Sequence, residues 1–313
     1  MTIEMAEIDF SELMDLRVDY AFKLFFATSE THRLVSLLNA IFEHKQIPRV
    51  VAALTIENPS LEKAAAKDKL SVLDIRATLD DGNTLCIEMH LYDLIALKYK
   101  TLRSWARVYG EDLVSGENYT QLNQVICISF MNGPVTDATG VPVEKIHSLF
   151  QAMERDSHEV LLPDMEIHFI DMKAFVKSLE EKDVDATDCD EFTKWLMLIN
   201  EKAINNKKAI KRICSEGELK EAMKTLTRLS KDKIKRQAYQ RRLDELYFYN
   251  AEVAKKEAVI AEQCAVIADK DAALADKDAA LADKEAVIAE QGAVIADKDA
   301  IIAKLTAQLD NRK

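Results

Sequence analysis

The chain has 313 residues, 54 acidic side chains against 42 Lys and Arg, and a formal net charge of −12, so it can bury one sizeable core but excludes a surface that coats polyanions generally. Its 48% hydrophobic and 31% charged content is ordinary for a globular protein, and a local basic face stays open to it. Five scattered cysteines in no zinc-ligand spacing argue against a disulfide framework and for a reducing cytoplasm, and seven glycines with no phosphate-binding loop argue against a nucleotide cofactor.

Residues 1–14 read as a flexible acidic segment, with no apolar stretch of the kind a signal peptide needs. From Asp15 to Glu43 the pattern is helical: Phe22, Phe25 and Phe26, then Leu34, Leu37, Leu38 and Ile41, recur at helical spacing. Pro48 ends this region. Val50–Ile56 reads as a short strand and Glu57–Lys69 as a polar connection.

Two alternating strands follow, Ser71–Leu79 and Thr84–His90, joined by Asp80-Asp81-Gly82-Asn83. Period-2 alternation puts Leu73, Ile75, Ala77 and Leu79 on one face of the first, and Leu85, Ile87 and Met89 on one face of the second. Asp74, Glu88 and His90 then stand together on the non-core side. The turn decides whether they meet. A two-residue Asp81-Gly82 loop sets Asp74 opposite Met89. A three-residue loop with Gly82 left-handed pairs Leu79 with Asn83 and sets Asp74 opposite Glu88, and this second register is the one expected. Two carboxylates and an imidazole so placed can hold a hard divalent cation and position water for phosphodiester cleavage.

Leu94–Val114 reads as a long helix with an apolar stripe of Leu102, Trp105, Ala106 and Tyr109, and with Lys100, Arg103 and Arg107 on another face. The nearly unbroken apolar run Gln124–Phe130 suggests a central strand buried on both faces, and Glu166–Asp171 one more strand. Residues 172–250 look all-helical and carry basic stretches at Lys207-Lys208-Lys211-Arg212 and from Lys231 to Arg242, read first as solvated helix faces. His32, His44, His147, His158 and His168 form no ligand spacing and read as structural.

From Ala258 the chain repeats every seven residues, beginning AVIAEQC and AVIADKD. Ala, Lys and Glu favour helix. The four apolar residues of each unit are contiguous, so they spread around the circumference and leave no strong coiled-coil seam. A weakly associating helix is expected, with Gly292 as a soft point. No run is long enough to span a membrane.

Several stretches together resemble a family. Asp74 followed by Glu88-Met89-His90 is similar to the PD-(D/E)xK nuclease core. Asp19–Phe26, Leu37–Ile41, Lys67-Asp68-Lys69, Leu73–Ala77, Ile87-Glu88-Met89, Trp105–Tyr109, Gly116–Tyr119 and Ile167–Met172 resemble, in order and spacing, the Rpn recombination-promoting nucleases or transposases over residues 15–250. The resemblance implies an α/β fold, a restriction-endonuclease-like mixed sheet flanked by helices, over residues 15–175. A helical region (176–250) and the heptad-repeat tail (251–313) follow.

It further implies a Mg²⁺- or Mn²⁺-dependent DNA endonuclease. Asp74 and Glu88 would be the metal ligands, with His90 in the water-orienting role and Asp19 as a further acid reaching the site. Lys23, Lys100, Arg103 and Arg107 would contact DNA. A homodimer or higher homo-oligomer, with a role in recombination, mobile elements or phage defence, belongs to the same expectation. Three departures stand out: Leu73 replaces the signature's proline, His90 stands where the family has Gln and the broader superfamily Lys, and Lys100 stands where the family's helix commonly has Arg. His90 motivates the alternative, a catalytically decayed nuclease fold that binds DNA or acts as an oligomeric interaction module.

Overall fold

The computed structural model of the chain describes residues 8–57, 74–91, 97–111, 122–137, 139–182 and 189–310. The expected polar connection at 58–69, the strand start at 71–73, and the motif residues Lys67–Lys69 and Gly116–Tyr119 lie outside them. Residues 1–246 and 247–313 form two compact units.

The first unit is built on a six-stranded mixed sheet. Its strands are β1 (Leu54–Ile56), β2 (Ile75–Leu79), β3 (Thr84–His90), β4 (Val125–Met131), β5 (His147–Met153) and β6 (Val160–Asp171), in the order β1-β2-β3-β4-β6-β5. The β1/β2, β2/β3 and β5/β6 pairs are antiparallel, while β3, β4 and β6 run parallel. β5 is an addition to the sequence reading. Its residues HSLFQAM alternate poorly, and its register against β6 shifts between Phe150 and Met153.

The helical stretch expected from Asp15 to Glu43 is two helices, α1 (Asp19–Phe26) and α2 (His32–His44). The break falls at Thr28-Ser29-Glu30, where short polar side chains bond locally: the Thr28 hydroxyl donates to the Glu30 carbonyl at 3.2 Å. Phe22, Phe25, Phe26, Leu34, Leu37, Leu38 and Ile41 are all fully buried, as their spacing requires. They pack on one face of the sheet, against Ile75, Ala77, Ile87, Ile128 and Phe130. The same core takes in α5 (Glu191–Ile199), α6 (Lys207–Ile213) and α7 (Gly217–Lys231). α4 (Met172–Lys182) follows β6 directly.

β4 is the buried central strand its apolar run predicts: Ile126, Ile128 and Phe130 enter this core. Val125, Cys127 and Met131 point into a second, smaller core with Cys86, Ile167 and Phe169. That second core is covered by α3 (Leu97–Glu111) through Leu97 and Val108. The face of β3 that sequence alternation assigns to the non-core side is therefore closed over.

The last helix, α8, spans Lys233–Asp310 and runs on through Gly292. Its first turns hold the N-terminal segment. Arg236 donates to the Glu12 carbonyl, and Tyr239 Oη accepts the Asp15 N–H at 3.0 Å. In the second unit every described side chain from Ala258 to Ala307 is exposed, including Ile260, Leu274 and Leu281. No helix among the described residues is long and apolar enough to cross a membrane.

A buried polar chain lies between β5 and β6. Glu166 Oε1 accepts from Arg49 Nη1 and His168 Nε2, both at 2.9 Å, and His168 Nδ1 lies 2.9 Å from His147 Nε2. If Glu166 takes the His168 Nε2 proton, His168 Nδ1 is an acceptor and His147 Nε2 must be the donor. Burial, then the proximity of His168 and Lys45, push His147 down to about 2. Folded His147 thus stays neutral where the unfolded chain takes up a proton, and stability falls as pH drops below the ordinary histidine value of about 6.5. Thermal unfolding between pH 7 and 4.5 should show a steeper loss in the native protein than in His147→Gln, which keeps a donor toward His168 but cannot titrate. Equal slopes would refute this.

Candidate active site

The hairpin turn sets the site. Gly82 has φ of +86° and donates its N–H to the Leu79 carbonyl at 3.0 Å, while Leu79 N–H donates to Asn83 at 2.9 Å. A left-handed residue here is cheap only for glycine. The three-residue loop follows, and the pairs run Thr78–Thr84, Ala77–Leu85, Arg76–Cys86 and Ile75–Ile87, a count that one residue further sets Asp74 opposite Glu88. The expected register holds.

Asp74 sits just before β2, and its Oδ2 accepts the Met89 N–H at 2.6 Å. Burial is the main reason its carboxyl is pushed up to about 7; the negative charges of Asp19 and Glu88 add to it, against the Met89 bond and Lys100. Glu88 is 4% exposed. Burial pushes it up as well, but the hydrogen bond from His90 and the Lys100 charge outweigh that and hold it below the ordinary glutamate range. His90 Nε2 lies 2.7 Å from Glu88 Oε2. Lys100 Nζ lies 3.5 Å from the same oxygen, and Ser104 Oγ donates to Glu88 Oε1 at 3.3 Å.

α3 brings Lys100 and Ser104 there, but not with the stripe expected of it. Its buried residues are Leu97, Thr101, Ser104 and Val108, whereas Leu102 is 47% exposed and Ala106 is exposed too. The rotation has a polar cause. Thr101 bonds Ser129 on β4 at 3.1 Å, and Ser104 bonds Glu88. Trp105 and Tyr109 stay half-buried because their polar ends reach Asp164: the indole N–H to its carbonyl at 3.3 Å, the phenol to its carboxylate at 2.9 Å.

The remaining residues sort by position. Lys23 is 7% exposed and close enough to Asp74 to feel its charge, but burial lowers its pKa. Asp19 is held by Arg242 of α8, whose Nε and Nη2 contact its carboxylate at 2.5–3.0 Å. Arg103 and Arg107 are exposed, and Arg107 pairs with Glu111 at 3.7 Å. The structure thus gathers Asp74, Glu88, His90 and Lys100, sets Asp19 and Lys23 beside Asp74, and leaves Arg103 and Arg107 on the outer surface of α3. Ser104 and Arg242 were not singled out as site residues. Ser104 was detectable as the i+4 neighbour of Lys100; Arg242 lies 223 residues from its partner and carries no local signal.

Among the described residues no group of three or more His, Cys, Asp and Glu side chains is arranged to hold a metal. The donor set nonetheless suits a hard cation. Two carboxylates lie close enough across the hairpin to feel each other's charge, and burial together with the charges of Asp19 and Glu88 pushes that of Asp74 up to about 7.

Comparison with known families matches residues 16–256 to the model described as PD-(D/E)XK nuclease family transposase. No curated protein matches the chain, and no solved structure does.

A carboxyl raised in the folded state favours folding at low pH and opposes it as pH rises through its folded value. In EDTA, Asp74→Asn should therefore exceed the native protein in denaturant-measured unfolding free energy at pH 8 by on the order of a few kcal/mol, with the gap closing toward pH 4. Asn keeps an acceptor for the Met89 N–H. A gap that does not depend on pH would refute the raised carboxyl.

Proposed function

The chain belongs to the PD-(D/E)XK nuclease family transposases, and on that basis we propose that it is a metal-dependent endonuclease hydrolysing DNA phosphodiester bonds. The observation that carries the reading is the register that sets Asp74 opposite Glu88 with a lysine within ion-pair reach. Asp74 and Glu88 would hold a divalent cation, Mg²⁺ or Mn²⁺. When bound, such an ion acidifies a water and offsets the charge of the scissile phosphate.

The chain's own residues do the rest. The Met89 N–H fixes the Asp74 carboxylate, while His90 and Ser104 fix that of Glu88 from opposite oxygens. Arg103 and Arg107, exposed on α3, lie on the helix that covers the site and can meet backbone phosphates. Asp19 acts from beside Asp74, held off by Arg242. Contacts of this kind read the DNA backbone rather than its sequence, so binding weakens with salt. The biological role we infer is DNA recombination, mobile-element movement or defence against phage, in the cytoplasm and with a homodimer or larger homo-oligomer as the acting species.

A second reading is favoured by His90 alone. Its ring is committed to Glu88, and the strand carries no Lys at that position, as a decayed nuclease that only binds DNA would show.

Plasmid cleavage by the purified protein decides between them. Nicking or linearisation in Mg²⁺ or Mn²⁺ is expected. EDTA should abolish it, and Asp74→Ala and Glu88→Ala should reduce it by at least about 10²-fold, provided both variants melt cooperatively. Binding without cleavage in either metal would favour the decayed fold.

A further inference from the structure

The motif's strand ends in His90, but the site does contain an accessible cation. Lys100 reaches it from α3, with Nζ 3.5 Å from Glu88 Oε2. Its side chain is 41% exposed while that of Glu88 is 5%, so the ammonium bridges a buried carboxylate and the solvent from which a phosphate would arrive. Its carrier is firmly placed. One turn on, Ser104 bonds the other Glu88 oxygen, Thr101 bonds Ser129, and Lys98 donates to the carbonyls of Thr136 and Asp137 at 3.1 and 2.7 Å.

The two other basic groups are less suited. Lys23 is 7% exposed and cannot meet an incoming backbone. His90 has Nε2 committed to Glu88 at 2.7 Å, and its side chain is 11% exposed.

We propose that Lys100, carried by the helix rather than by the strand, is the catalytic cation of this site, and that His90 is a positioning residue acting through Glu88. The proposal rests on the nuclease reading and assigns its residue roles. In the step concerned, the oxygen of a water bonds to phosphorus and the ester bond to the leaving oxygen breaks. One proton of the water ends on that leaving oxygen; the other stays on the new phosphate hydroxyl, which ionises in solution. Lys100 keeps its protons throughout. It faces the non-bridging phosphate oxygen on which charge accumulates, and an ammonium aimed there contributes to the transition state more than to the bound ground state. A compact ammonium on a four-carbon stem suits this contact, and Arg would reproduce its charge but not its compactness.

The test separates catalysis from grip. Single-turnover cleavage of a labelled duplex is measured at saturating protein in Mn²⁺, and affinity for the same duplex is measured in Ca²⁺. Lys100→Ala should lower the saturating rate by about 10²-fold or more while changing the dissociation constant less than about threefold, and Lys100→Arg should recover part of the rate. His90→Ala should cost less than Lys100→Ala, and His90→Gln, which keeps a donor toward Glu88, should recover most of that loss.

Native protein that cleaves while Lys100→Ala cleaves at the same saturating rate overturns the assignment and leaves the nuclease reading standing. So does a Lys100→Ala defect that disappears at saturation, which would make Lys100 a DNA-gripping residue. Native protein that cleaves in no metal overturns both.

Discussion

The parity of one hairpin governs this site. A strand's side chains alternate, so shifting β3 by one residue against β2 would turn Glu88 away from Asp74 and present Met89 instead. The buried apolar faces of the two strands, Ile75, Ala77 and Leu79 with Leu85, Ile87 and Met89, resist that shift, and the loop resists it as well. Gly82 at a positive φ, with its N–H on the Leu79 carbonyl, closes a three-residue turn and sets the count for every later pair. The parallel pairing of β3 with β4, from Thr84–Val125 to His90–Met131, then carries the same register into the sheet's centre.

Given that parity, the site is a problem of charge in a poor solvent. Two acids meet where α3 closes the sheet's second face, and each is partnered differently. Glu88 gathers His90, Lys100 and Ser104 and stays ionised. Burial, joined by the charges of Asp19 and Glu88 and opposed by the Met89 N–H, pushes the Asp74 carboxyl up to about 7. Arg242 bears on this balance from a distance. By binding Asp19 through both Nε and Nη2 it offsets a charge that would otherwise act in full on Asp74.

Much of this was legible in the sequence because it is local. The period-2 pattern of Ile75–Leu79 and Leu85–Met89, the Asp-Gly turn chemistry and the apolar run of Val125–Phe130 all report on neighbours in the chain. The spacing of Phe22, Phe25, Leu34 and Leu38 likewise reports a buried helix face. What failed to read is what depends on contacts across the fold. α3 turns toward the sheet a side bearing Thr101 and Ser104 because Ser129 and Glu88 wait there, and hydrophobicity alone favours the other side. The break between α1 and α2 rests on local polar bonding that apolar spacing does not record. Lys100 was readable as a basic residue on a helix, but its place beside Glu88 needs the docking angle of α3. Alternation tells the two faces of β3 apart without telling what covers them, so the closure of its second face by α3 is not in the strand's own sequence.

Three contacts fasten α1 and the residues just before it to α7 and α8, and so join residues made far apart in time. Met14 N–H meets Ser230, Asp15 N–H meets Tyr239 and Asp19 meets Arg242, each across more than 200 residues. A chain emerging N-terminus first can pair β2 with β3, and so bring its two acids together, long before Arg242 has been made. The acid next to them therefore waits for its counter-ion while the intervening residues are made. The finished charge balance of the site therefore depends on α8, and a product ending before that helix would carry the hairpin without it.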